Sequence, residues 1–221
     1  ISTFRDAGGL WDKYPVEQVA TPEGYARNPE LVINFYNERR KQLLDVVPNA
    51  GHLGVADLER DFNVTVVTQN VDNLHERAGS THVIHLHGEL TKVCSSRDPY
   101  NPHFVKELAP EEYEVKLGDK AGDGTQLRPF IVWFGESVPE IETAIRYVEQ
   151  ADIFVIIGTS LNVYPAAGLL NYVPRAAEVY LIDPKPVDTH VMRPIHVIQK
   201  GASEGVKELK ALLAATQPPL P

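Results

Sequence analysis

Cysteine is nearly absent from this chain: Cys94 is the single one among 221 residues. One thiol excludes an internal disulfide and a thiolate-only zinc site within one chain. Long hydrophobic runs are missing too, and none approaches the ~20 apolar residues that a membrane span needs. Basic charge is the scarcer sign, 21 Lys and Arg against 30 Asp and Glu, for a net charge of −9. That balance argues against nucleic acid as the main ligand, which calls for a basic face, while leaving room for a local basic pocket. The Gly-x-Gly-x-x-Gly dinucleotide fingerprint is also missing. The chain opens on Ile1 with no visible signal peptide. Because Ser2 to Asp6 reads as a loop lacking its strand, a further N-terminal segment is expected ahead of it. A cytoplasmic protein, bound to neither membrane nor nucleic acid, is the expectation.

What is there is an α/β pattern. Four apolar runs of strand length, 64–67, 130–134, 153–157 and 179–182, are rich in β-branched or aromatic residues. Between them lie helical spacings. Residues 29–44 place Leu31, Val32, Phe35, Tyr36, Arg39 and Leu43 three or four apart, with Asn28 as N-cap. Further helices fit 51–60, 139–150, 165–173 and 204–215. Strands alternating with helices predict a largely parallel sheet covered on both faces. Residues 91–127 break the rhythm, since Cys94 to Gln126 is polar and without a clear strand core, and read as an insertion.

Polar groups cluster directly after the first apolar run. Gln69, Asn70 and Asp72 suit sugar hydroxyls or a carboxamide, and a histidine such as His87 suits proton removal near neutral pH. This points to an enzyme acting on a nucleotide-like ligand. His87 competes with His75, His82 and His85, and His85 shares its strand parity, so spacing alone does not choose. Gly158-Thr159-Ser160 follows a strand in the manner of a phosphate-approaching turn, although such turns also end many buried strands. Asp183 before Pro184 is either a ribose-binding carboxylate at a strand tip or an Asx turn. Tyr36 and Arg39 lie on one helical face, where they are either a fork for a carboxylate or a core tyrosine beside a solvated arginine. Spacing favours the second reading.

Taken together, Thr-Phe-Arg (3–5), Gly-Leu-Trp (9–11), Ala-Thr-Pro (20–22), Phe-Tyr-Asn-Glu-Arg-Arg (35–40), Thr-Gln-Asn-Val-Asp-Asn-Leu-His (68–75), His-Gly-Glu-Leu (87–90), Arg-Pro-Phe-Ile-Val-Trp-Phe-Gly-Glu (128–136) and Gly-Thr-Ser-Leu-Asn-Val-Tyr-Pro-Ala (158–166) resemble the sirtuins. These are NAD-dependent protein lysine deacylases, and the likeness is greatest to bacterial members of the desuccinylase-like class. The fold so implied is a Rossmann-type parallel sheet with helices on both faces, plus a smaller domain formed by two insertions. Residues 1–20, 61–90 and 128–221 would form the NAD domain, 21–60 a helical insertion, and 91–127 a degenerate zinc lobe.

The resemblance also implies roles. His87 is the general base that activates a ribose hydroxyl. Gln69 and Asn70 hold the nicotinamide ribose and a water, and Asp72 the carboxamide. Phe4 shields the sugar and Arg5 lies by the cofactor. Gly158, Thr159, Ser160, Asn162, Asp183 and Ala202 complete the NAD contacts. Val132, Phe134, Gly135 and Glu136 pair with the substrate peptide as an added strand. In this scheme the acyl-lysine oxygen attacks C1′ of the ribose as nicotinamide leaves, and water finally frees lysine and O-acyl-ADP-ribose. Tyr36 and Arg39, with Val16 bordering the pocket, mark preference for succinyl or malonyl chains, acetyl being retained; this reverses the spacing argument. The implied partner is an acylated lysine of a protein, and the implied state a monomer. A protein ADP-ribosyltransferase, a non-catalytic ADP-ribose- or NAD-binding module and a Rossmann-type dehydrogenase are the rival readings. Two departures stand out. Three of the four zinc cysteines are missing, so no zinc is expected, and the family's glycine-rich phosphate loop would lie before Ile1.

Overall fold

The computed structural model describes residues 13–159, 161, 164–187 and 192–216. Its strands in chain order are β1 (Val66–Thr68), β2 (Val83–His85), β3 (Gly88–Ser95), β4 (Lys106–Glu107), β5 (Leu127–Ile131), β6 (Ile153–Ile157), β7 (Glu178–Ile182) and β8 (His196–Ile198). The chain divides into two compact units. One comprises Ile1–Val46, Thr68–Asn73 and His85–Pro139; the other comprises Val47–Val67, Leu74–Ile84 and Glu140–Pro221.

The first unit opens with helices α1 (Val16–Val19), α2 (Pro22–Arg27) and α3 (Pro29–Leu44). Helix α3 covers the residues its apolar spacing predicts. Asn28 caps it by accepting the Leu31 N–H at 3.2 Å, and Pro29 fills a first-turn position where no N–H is needed. Its buried face carries Val32, Ile33, Phe35, Tyr36 and Leu43, but also Asn37, Arg39 and Arg40. Buried polar groups need partners. Asn37 donates to the Val115 carbonyl at 2.8 Å and accepts the Val115 N–H at 2.9 Å, and Arg40 Nε donates to the Tyr113 carbonyl at 2.8 Å. Ile33, Val93 and Val115 pack as a small core of this unit.

Strands β4, β3 and β5 form an antiparallel sheet in that order, which corrects two expectations. The stretch 91–127, read as lacking a strand core, supplies most of β3, the longest of the described strands. The strand expected at 130–134 lies at Leu127–Ile131, and it pairs antiparallel with β3, with Cys94 opposite Arg128, instead of joining a parallel sheet. A register shift between Gly88 and Val93 interrupts the two-residue alternation of β3, so periodicity does not reveal it. The apolar run continues to Phe134, but the ladder stops at Ile131 because the chain turns.

The second unit holds a parallel sheet in the order β6-β7-β8. Helices α4 (Ala50–Asp57), α5 (Leu74–Ala78), α6 (Ile141–Val148) and α7 (Ala202–Thr216) belong to it, with 3-10 turns at Leu58–Arg60 and Ala166–Tyr172. Runs β6 and β7 match the predicted strands. Strand β8 has no apolar run to announce it, since only Ile198 is buried. Tyr180, Ile182, Ile198, Val206, Leu209 and Leu213 make the core between sheet and α7. Burial of one such Leu or Val contributes about 1.5–3 kcal/mol. Close packing needs glycine here: a Cβ on Gly205 would lie 2.2 Å from Ile182, and one on Gly54 2.7 Å from Val206. Helix α4, expected within the insertion 21–60, therefore packs on α7 in this unit. A parallel sheet carrying helices is the Rossmann-type α/β arrangement expected. Strand β1 pairs separately with β2, with the Val66 N–H on the His82 carbonyl and the Leu86 N–H on the Thr68 carbonyl, both at 3.0 Å. No described helix is long and apolar enough to cross a membrane.

Candidate active site

After β1 the chain turns through Gln69–Asn73, and hydrogen bonds fix its main chain. The Asn70 N–H donates to Thr68 Oγ1 at 3.0 Å, and the Leu90 N–H donates to the Val71 carbonyl at 2.7 Å. His85 Nδ1 lies 3.0 Å from the Asn70 carbonyl. A carbonyl only accepts, so Nδ1 carries the proton. His85 is buried and committed to holding this turn. The turn presents the side chain of Asn70 to solvent and keeps Gln69 and Asp72 half-buried.

His87 has a different environment. It sits half-buried in the turn before β3. Burial pushes its imidazole below the ordinary value, and a hydrogen bond to the Gln69 backbone offsets part of that shift. The ring is therefore neutral at neutral pH, the form in which it accepts a proton. The two histidines that spacing leaves equivalent are separated by these surroundings. Gly88 completes the turn at φ +84°, where a Cβ would lie 2.1 Å from the Phe130 carbonyl oxygen. Only glycine permits that approach.

The segment after β5 is anchored to this histidine. The Val132 N–H donates to the His87 carbonyl at 2.9 Å, and the Phe134 N–H donates to the Ala20 carbonyl at 3.0 Å. The Trp133 carbonyl accepts the Glu136 N–H at 3.0 Å across a turn with Gly135 at φ +91°. The carbonyls of Val132 and Phe134 and the Gly135 N–H remain without a partner among the described residues. They form an open main-chain edge beside the half-exposed Phe134 ring. The Glu136 side chain takes the other direction, inward to Arg128.

Tyr36 and Arg39 share the buried face of α3, against which α1 packs, and Val16 is half-buried at the start of α1. The Tyr36 hydroxyl donates to the Val19 carbonyl at 2.9 Å and accepts the Trp133 indole N–H at 3.0 Å. Burial lowers the pKa of Arg39, against the pull of Tyr36 and Asp72. Arginine is thus a desolvated cation rather than the solvated one that spacing favours, and the tyrosine proton is already engaged.

In the second unit, Gly158 leaves β6 at φ +61°, with its N–H on the Ile182 carbonyl at 2.9 Å. Thr159 Oγ1 accepts the Leu161 N–H at 3.3 Å. Asp183 ends β7, and its Oδ1 accepts the Lys185 N–H at 2.8 Å, which is the Asx turn. Ala202 opens α7 with its Cβ toward Gly51 of α4. Phe4, Arg5, Ser160 and Asn162 lie outside the described residues.

A strand-end amide and carboxylate turn, a neutral imidazole and an open peptide edge coincide with a match to the model of the Sir2 family over residues 1–165. The chain belongs to the Sir2 family. An NAD-dependent protein deacylase of Bacteroides thetaiotaomicron is 84% identical over 96% of this chain and 91% of its own length. One from Helicobacter pylori is 47% identical over 95% and 89%. Among solved structures, a Sir2 homologue in complex with NAD superposes with a TM-score of 0.81 at 36% identity, covering 98% of this chain and 85% of that one.

NAD fits the Sir2 turn chemically. Asn73 Oδ1 is buried there without a hydrogen-bond partner among the described residues, an acceptor that a donor-bearing ligand would complete. Zinc does not fit. Cys94 is fully buried, its thiol is pushed up to about 12 by burial, and its Sγ points to the Pro129 carbonyl at 3.7 Å. Among the described residues no three His, Cys, Asp or Glu gather to hold a metal. In the same lobe, Ser95 Oγ donates to Asp123 Oδ2 at 2.6 Å and accepts the N–H groups of Arg97 and Asp98, each at 3.0 Å. Sequence reasoning gave no role to Arg128, although a charge two residues ahead of the apolar run 130–134 was the available signal.

Proposed function

We propose that this Sir2 member is an NAD-dependent protein-lysine deacylase whose acyl pocket takes carboxylate-tipped chains, removing succinyl and malonyl as well as acetyl groups. The products are nicotinamide, O-acyl-ADP-ribose and free lysine. The observation that carries the acyl preference is Arg39, a guanidinium buried on α3 beside Tyr36. An Arg–carboxylate bond in a partly dry pocket contributes ~1.5–3 kcal/mol, equivalent to a ~10–100-fold preference. Because Val19 holds the Tyr36 proton, Arg39 carries the recognition of charge and Tyr36 walls the pocket, with Val16 at its border.

Bound NAD would supply the electrophilic ribose carbon, nicotinamide as its leaving group, and the ribose hydroxyl that finally carries the acyl group. His87 accepts a ribose hydroxyl proton at the ring nitrogen not engaged by Gln69. Gln69 and Asn70 orient the sugar and a water, and Asp72 the carboxamide. Phe4, Arg5, Gly158, Thr159, Ser160, Asn162, Asp183 and Ala202 hold the rest of the dinucleotide. The Val132–Glu136 segment aligns the peptide. The enzyme acts as a zinc-free cytoplasmic monomer on acylated lysines of proteins.

Arg39→Met tests the acyl preference with matched succinyl- and acetyl-lysine peptides, read by mass spectrometry for O-acyl-ADP-ribose. Desuccinylation is expected to be lost while much of the deacetylation is retained. Equal loss of both would overturn the assignment.

A further inference from the structure

Arg128 lies on β5 with its side chain 4% exposed, and its salt-bridge partner Glu136 lies eight residues on with its side chain 13% exposed. A buried cation needs full compensation, and Arg128 has it. Nη1 and Nη2 donate to the two Glu136 carboxylate oxygens at 3.0 Å each. Nη2 also donates to the Ile131 carbonyl at 2.7 Å and Nε to the Pro129 carbonyl at 3.3 Å. The guanidinium sits 3.7 Å from the centre of the Trp133 ring. Glu136 in turn accepts the Trp133 N–H at 2.8 Å. This pair therefore closes the loop 131–136 from inside. The same loop carries the open main-chain edge and the Val132 N–H bound to the His87 carbonyl.

We infer that Arg128 and Glu136 are positioning residues, whose planar fork holds the 131–136 loop so that its outer edge receives the substrate peptide and its Val132 N–H fixes the main chain of His87. The inference rests on the deacylase reading and deepens it. Glu136 serves the substrate through the shape of the loop, with its own carboxylate facing away. Neither Lys, which lacks the fork, nor Gln, which lacks the charge, reproduces the bidentate bond.

Arg128→Lys and Glu136→Gln test this in the full chain. The KM for a succinyl-lysine peptide is expected to rise about tenfold or more, with the KM for NAD within about twofold. Hydrogen exchange at the Val132 and Phe134 amides should accelerate by a similar factor while that of α3 stays constant. Should Arg128→Lys fail to fold, Glu136→Gln carries the test, because it leaves Arg128 its two carbonyls and the Trp133 ring. An unchanged peptide KM in folded Glu136→Gln would overturn the inference, as would a fall in kcat alone, the mark of a smaller folded fraction. Absence of NAD-dependent turnover in the unsubstituted chain would instead overturn the deacylase reading itself.

Discussion

The Trp133 indole N–H donates to the Tyr36 hydroxyl at 3.0 Å, and that hydroxyl donates to the Val19 carbonyl at 2.9 Å. One phenol thus joins α3 to α1 and to the segment that follows β5. Tyr36→Phe removes it and leaves a buried indole donor and a carbonyl unsatisfied. Each such orphan costs about 1–3 kcal/mol. The variant should unfold at lower urea concentration than the unsubstituted chain, while the succinyl-over-acetyl preference proposed for Arg39 should change little. A large loss of that preference with stability intact would assign the recognition to Tyr36 instead.

What could be read in advance followed from how far apart the partners lie in sequence. Helix α3 and strands β6 and β7 declare themselves through apolar spacing and β-branched runs, which are local. His85 and His87 share strand parity, and only burial and the Asn70 carbonyl tell them apart. Strand β3 was hidden by its register shift, and β8 by having Ile198 as its one buried residue. The run to Phe134 looked like a strand because the turn that ends it depends on Gly135 and on a carboxylate returning to Arg128. Tyr36 and Arg39 show the same limit: spacing placed them on one face, yet said nothing of Val19 and Trp133, which engage the hydroxyl.

The environment of His87 sets a pH dependence. Its pKa in the folded chain lies below the ordinary 6.5, chiefly through burial. Between those two values the unfolded chain binds the proton and the folded chain does not, so folding is opposed increasingly as pH falls below 6.5. With His87 in its proposed role as base, catalysis is expected to follow the same direction, since a base works unprotonated. The acid limb of kcat/KM for an acyl-lysine peptide should fall with a midpoint below pH 6.5. A midpoint above 6.5 that vanishes in His87→Asn would contradict the burial-dominated picture.

The Ser95–Asp123 bond ties this lobe together, and the proposed absence of zinc predicts both a metal content and a response to mutation. Purified protein should contain no stoichiometric zinc by elemental analysis, and a chelator should leave its melting temperature unchanged. Ser95→Ala removes the hydroxyl that serves Asp123, Thr125 and the N–H groups of Arg97 and Asp98. Loss of those bonds should be seen as faster hydrogen exchange in residues 96–126. The Ser95 and Thr125 hydrogen bonds hold the Asp123 carboxyl near about 2, below its ordinary 3.8. A carboxylate so depressed stabilises the folded lobe above pH 3.8 and loses that contribution as pH falls toward 2. In Ser95→Ala the acid-induced loss of lobe structure should therefore begin at a higher pH than in the unsubstituted chain. One zinc per chain, or a chelator-induced drop in melting temperature, would show that metal and not this carboxylate network holds the lobe.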